Sequence, residues 1–183
     1  IPLAAAPAND VCLTSGFGQR FGRRHDGIDL QSRPAGTIYA SAPGKIIESR
    51  VSTGYGNMVL IDHGKGVYTR YAHLAYIQPG VTKGATIGFG QPVGFMGASG
   101  NATAIHIHFE ILTGDYRNPR GSKGLMPRDP FSFPPYEEGF SFNGLRGRYE
   151  GVLDRGHRVD VHARGMYDRA HARRRVGFDQ RTY

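Results

Sequence analysis

A single cysteine in 183 residues excludes an intrachain disulfide and any zinc site built on thiolates. That residue, Cys12, follows Asn9-Asp10-Val11, without the small residues that precede a lipidated bacterial cysteine. It is expected to be a small buried apolar side chain. No run of about 18 apolar residues occurs, so no membrane span is expected. The segment Ile1 to Ala8 is apolar but lacks a basic leader and a full apolar core, and does not read as an intact signal peptide. Internal repeats and heptad patterns are missing as well.

What is present favours strands. Twenty-seven glycines, eleven prolines, ten phenylalanines and ten tyrosines suit short strands joined by tight turns, and 39% hydrophobic residues is enough for one core. Ile38-Tyr39-Ala40, Lys45 to Val51, Met58 to Asp62, Val67 to Leu74, Val93 to Met96 and His106 to Ile111 read as β-runs. Pro43-Gly44, Gly54-Tyr55-Gly56-Asn57 and Gly64-Lys65-Gly66 read as the turns between them. The expected class is mainly β, a compact antiparallel sheet. From Gly114 to Gly139 the composition shifts to Pro, Gly, Arg and Asp, read as an irregular arm leaving the domain. An Arg-rich extension follows, so the division is 1–135 for the main domain and 136–183 for the extension.

The net charge of +8 is unevenly placed. Residues 1–139 hold 13 Lys or Arg against 10 acids, whereas residues 140–183 hold 10 Arg, no Lys and 5 acids. A basic balance favours a polyanionic neighbour such as cell wall, anionic lipid or nucleic acid. Nucleic acid is disfavoured, because the extension lacks a recognised binding motif and a clear stacking platform.

Three stretches carry chemistry: His25-Asp26-Gly27-Ile28-Asp29, Tyr71-Ala72-His73-Leu74 and His106-Ile107-His108-Phe109-Glu110. Side chains two or four apart in a strand share a face. His25 and Asp29 can then face one point, with Gly27 leaving room, and His106 and His108 share a face while Ile107 and Phe109 turn to a core. Four metal-competent side chains would project from two strands. Two imidazoles and a carboxylate suit Zn²⁺, with a fourth position open for water acidified to a pKa of roughly 7. His63, His157, His162 and His171 read instead as surface or hydrogen-bonded residues.

These stretches resemble the lysostaphin/LytM-type zinc endopeptidases of peptidoglycan. The likeness runs from about Leu13 to Leu112. It takes in Thr14 to Arg20, Ala42 to Ile46, Gly54 to Asn57, Ile61 to Gly64 and Gly97-Ala98-Ser99-Gly100. It implies an antiparallel sheet whose groove holds one Zn²⁺ per chain on His25, Asp29 and His108, with His73 and His106 as the catalytic pair. It also implies hydrolysis of peptide bonds in stem peptides or cross-bridges by zinc-bound water, assisted by those two histidines. Arg20, standing near where some members carry a tyrosine, and Asn57 are the substrate-binding candidates. Ala102-Thr103-Ala104-Ile105 departs from the usual Ser-Thr-Gly-Pro on the groove border.

The implied setting is extracytoplasmic, periplasmic or secreted, with a phage virion as the alternative. Peptidoglycan is the implied partner, and the basic extension is a candidate contact for a protein assembly. The alternative function is a non-catalytic wall-binding or virion structural protein that retains a peptidase-like domain.

Overall fold

The computed structural model describes residues 7–20, 22–118 and 124–131. The basic extension over 136–183 lies outside the described residues. Among those described, the secondary structure is strand and turn with no helix, as the composition predicts. No helix there is long and apolar enough to cross a membrane.

Twelve strands are formed: β1 (Cys12–Ser15), β2 (Gly18–Arg20), β3 (Arg23–His25), β4 (Ile28–Gln31), β5 (Thr37–Tyr39), β6 (Gly44–Ser52), β7 (Gly56–Asp62), β8 (Val67–Ile77), β9 (Thr86–Ile87), β10 (Pro92–Met96), β11 (Ile107–Gly114) and β12 (Leu125–Arg128). Ten form one sheet whose main path runs β1-β4-β11-β8-β7-β6-β9, while β2 and β3 make a separate two-stranded ribbon. Every pairing is antiparallel.

The period-2 rule places the core. On β11, Ile107, Phe109 and Ile111 are fully buried in the larger apolar cluster, with Tyr71 of β8 and Val59 and Ile61 of β7. Phe109 and Tyr71 meet edge to face at 5.3 Å between ring centres. The alternate residues, His108, Glu110 and Leu112 on β11, turn to the opposite face. There a smaller cluster of Met58, Leu60, Tyr68, Ala72, Leu112 and Leu125 covers part of the sheet. The polar site occupies the rest of that second face.

β8 changes neighbours along its length. One edge pairs with β11 through Val67 to Ala72 and then with β10 through Leu74 to Ile77. His73 sits at the changeover, opposite a register shift in β7, with φ +62°. That left-handed conformation is costly for a non-glycine residue and persists only where the surroundings impose it. Here the His73 N–H donates to the Tyr55 carbonyl at 2.8 Å.

Two expectations need correction. The segment after Gly114 does not simply leave the domain, because Leu125–Arg128 returns as β12 beside β11, with Pro127 opposite Leu112. Pro127 has no N–H to donate and sits on an edge strand, where a missing donor is tolerated. Buried Leu125 secures the pairing. Cys12 is only half-buried in β1 rather than buried.

Candidate metal centre

His25 ends β3 and Asp29 lies in β4, so His25-Asp26-Gly27-Ile28-Asp29 is not one extended strand. The chain breaks at Asp26-Gly27 and passes from the small ribbon into the main sheet. Gly27 is required by that passage: a Cβ there would run into the carbonyl of Phe109 and come within 3.0 Å of the His108 ring. The four metal-competent side chains therefore come from β3, β4, β11 and the bridge residue His106 just ahead of β11.

His108 and Asp29 are direct partners across the β4–β11 ladder. Three donor atoms converge: His25 Nε2 is 3.1 Å from Asp29 Oδ1 and 3.0 Å from His108 Nδ1, and the last two are 2.9 Å apart. All three residues are buried. They are the one group among the described residues that could hold a metal ion. Tetrahedral zinc with bonds of 2.0–2.1 Å spaces its ligand atoms about 3.3 Å apart, so this slightly tighter triangle fits Zn²⁺ with small outward movement.

Two imidazole nitrogens facing one another at 3.0 Å share at most one proton, which makes the triangle a poor hydrogen-bonded core and a good cation site. The charges agree. Burial would raise the Asp29 carboxyl, yet hydrogen bonds and charge from His108 and His25 hold it far below the ordinary carboxylate range. Burial would lower His108, yet Asp29 and Glu110 push it up to about 9. An anionic pair thus draws positive charge onto the His108 ring, a role a divalent ion fills as well as a proton.

The tautomers are set from behind. His25 Nδ1–H donates to the Gly16 carbonyl at 2.7 Å, which leaves Nε2 for the centre. His108 Nε2–H donates to Glu110 Oε1 at 2.9 Å, which leaves Nδ1. Glu110 is fully buried and accepts from Arg70 Nη1 at 2.8 Å and the Tyr55 hydroxyl at 2.7 Å. Burial opposes its ionisation, but His108 and Arg70 hold its pKa low. Burial and Glu110 raise the Tyr55 hydroxyl, keeping it a donor. A carboxylate behind a metal-binding histidine orients the ring and raises its basicity. Sequence reasoning assigned no role to Glu110, Arg70, Tyr55 or Gly16. The only local signal was Glu110, two residues beyond His108 and therefore on its face.

His73 and His106 lie beside the triangle. Their ring centres are 4.9 Å apart, His73 is 5.8 Å from His108, and His106 Nε2 is 3.6 Å from Asp29 Oδ1. His73 Nδ1–H donates to Ser99 O and His106 Nδ1–H to Ala104 O, each at 2.8 Å. Both Nε2 atoms are left with a lone pair. Burial lowers the His73 pKa, so it is neutral at pH 7. The departing loop Ala102 to Ile105 thus supplies the carbonyl that sets His106.

Arg20 Nη1 donates to Ser15 Oγ and stands 3.5 Å from Asp29 Oδ2. Asn57 commits both Nδ2 hydrogens to the carbonyls of Leu74 and Ala75 at 3.0 Å, so only its Oδ1 can meet a substrate. His63 is buried away from the site, with Nδ1–H on the Pro43 carbonyl at 2.7 Å and Nε2 on the Thr69 hydroxyl at 2.8 Å. It is hydrogen-bonded, as expected.

Residues 23–119 match the model of Peptidase family M23. The chain is 37% identical over 114 residues to the DD-carboxypeptidase/endopeptidase Mpg of Neisseria meningitidis, covering 58% of this chain and 26% of Mpg. It therefore spans about a quarter of the length of that relative. The catalytic domain of the prophage-encoded M23 protein EnpA from Enterococcus faecalis superposes with TM-score 0.60 at 29% identity, over 72% of this chain and 97% of that one. A zinc-containing peptidase from Vibrio cholerae superposes with TM-score 0.51 at 28% identity, over 67% of this chain and 39% of that one. With more than half of its length matched by the family model, and with the lysostaphin/LytM resemblance pointing the same way, the chain belongs to Peptidase family M23.

Proposed function

We propose that the chain is a zinc-dependent endopeptidase that hydrolyses peptide bonds in peptidoglycan stem peptides or cross-bridges. The observation that carries this reading is the donor triangle of His25, Asp29 and His108, flanked by two histidines whose Nε2 atoms make no hydrogen bond among the described residues. A structural site would need a fourth protein ligand, and His106 Nε2 stands back at 3.6 Å from Asp29. The relatives support the substrate class, ShyA of Vibrio cholerae being a peptidoglycan DD-endopeptidase.

Zinc held by His25, Asp29 and His108 would supply a Lewis acid able to polarise the scissile carbonyl and to bring the pKa of water to roughly 7. The side chains do the rest. His73 or His106 accepts at Nε2 the proton released by the attacking water and returns it to the departing amine nitrogen. The other, carrying at Nε2 a proton taken from bulk solvent before attack, donates to the oxyanion and keeps that proton when the oxyanion collapses. Hydrogen bonds at Nδ1 keep each ring aimed, so neither reorganises as charge develops. Peptidoglycan lies outside the cytoplasm, which places the site of action in the periplasm or beyond the cell, or in a virion acting from outside.

The test is digestion of purified sacculi with mass analysis of the released fragments. Zinc-loaded protein should release peptides cut at one type of bond, chelator-treated protein none, and zinc should restore release. Intact sacculi after treatment with zinc-loaded protein would overturn the reading.

A further inference from the structure

Two arginines approach the site, and they are used differently. Arg70 is mostly buried, and its Nη1 donates to Glu110 and to the Tyr55 hydroxyl behind the centre. Arg20 keeps 40% of its side chain exposed. Among the described residues only its Nη1 is engaged, by Ser15 Oγ and, at 3.5 Å, by Asp29 Oδ2. That second contact is long for a charge-assisted hydrogen bond, which normally closes to 2.7–2.9 Å. Bracing Asp29 therefore does not account for the residue. One corner of the guanidinium is held by Ser15 of β1 and Asp29 of β4, while the Nε and Nη2 donors meet no partner among the described residues. A planar fork with a fixed corner and free donors matches a carboxylate.

We propose that Arg20 recognises a free carboxylate on the substrate residue that supplies the scissile nitrogen. This rests on the peptidase reading above and adds the chemical group that selects the substrate. On the acyl side of the cut, the α-carboxyl carbon is the scissile carbonyl itself, so the nearest free α-acid belongs to the nitrogen-side residue. Its carbon lies three bonds away, at most about 3.7 Å from the reacting carbonyl. Arg20 Nη1 is 3.5 Å from the carboxylate of a candidate metal ligand, so the guanidinium borders the candidate centre on the same length scale as that separation. A residue whose acid is amidated or continues the chain offers no anion there.

The test uses two synthetic peptides built on the bond that sacculus digestion identifies. They are identical except that the nitrogen-side residue carries a free carboxylate or its primary amide. Wild type should prefer the acid by roughly 10–100-fold in kcat/KM, the range of a charged hydrogen bond. R20Q should collapse that ratio towards one, and R20K, which keeps charge without the fork, should retain part of it. A brace for Asp29 alone would lower both rates together and leave the ratio standing. Equal cleavage of the two peptides by wild type, or an undiminished preference in R20Q, overturns the proposal. Should R20Q fail to fold, the wild-type ratio and R20K decide. Failure to digest sacculi at all would bring down the peptidase reading instead, and this proposal with it.

Discussion

Asp29 and His108 stand opposite each other in the β4–β11 ladder, and their facing atoms, Oδ1 and Nδ1, are 2.9 Å apart. Backbone register, not loop conformation, brings these two donors together. His25 completes the triangle from β3. His25→Ala, Asp29→Ala and His108→Ala should each lose both zinc and hydrolysis, since two ligands rarely hold a catalytic ion. Metal analysis of the purified variants checks this, and stoichiometric zinc in His108→Ala would remove that residue from the set.

His73→Ala and His106→Ala should bind zinc and fold normally but lose about 10²–10⁴-fold in turnover, the usual contribution of a proton-transferring group. Measuring zinc content alongside the rate separates this outcome from metal loss. Full activity of either variant on sacculi would end its catalytic assignment.

Glu110→Gln should weaken zinc affinity by about 10–100-fold, because a neutral amide no longer anchors the His108 Nε2–H with a charge. Competition with a chromophoric chelator reads this without reference to turnover. Tyr55→Phe removes only one of the supports of Glu110 and should cost less. Unchanged affinity in Glu110→Gln would mean that the β4–β11 ladder alone orients the ring.

His63 gives a pH signature separate from the site. Burial lowers its pKa from the ordinary 6.5, outweighing the Pro43 carbonyl and Asp62, which raise it. Between the two values the unfolded chain binds more protons than the folded one, so stability should fall as the pH drops below about 6.5. Urea unfolding of wild type and His63→Gln at pH 8 and pH 5.5 isolates the effect. The wild type should lose more on acidification than the variant, and equal losses would contradict it.

Truncation after Pro135 should leave zinc binding and cleavage of a soluble cross-linked peptide intact, since all five histidine and aspartate positions lie between residues 25 and 108. Retention on sacculi or on a protein partner should weaken, more so at low salt, if the Arg-rich extension serves attachment. A folded, zinc-loaded truncation that cannot cut the soluble peptide would show that the extension helps build the groove.

Much of the site was legible because alternation in a strand is a strict rule. It turned Ile107 and Phe109 into the core and His108 towards the face that carries the candidate metal site. It failed at Gly27, where local spacing cannot reveal that one strand ends and another begins. It also could not foresee β12, since Pro127 in a four-residue run argues against a strand until a neighbouring edge is known. The Glu110–Arg70–Tyr55 support joins residues 15 to 55 positions apart, and no local pattern encodes such pairing. The position of His73 depends on β8 exchanging β11 for β10, which is a property of the whole sheet.

His25 Nε2 and His108 Nδ1 are 83 positions apart along the chain and 3.0 Å apart in space. The donor triangle therefore closes most of the chain's described length into one loop, and it cannot form in a fragment that lacks either His25 or His108. Contacts of such sequence separation are paid for in closure entropy before they return anything, which makes them slow to appear. An ion that recognises only the closed triangle favours the native chain by mass action, by about 2.7 kcal/mol at a hundredfold excess over its Kd. Zinc uptake during refolding would then report when the β4–β11 ladder and β3 have come together.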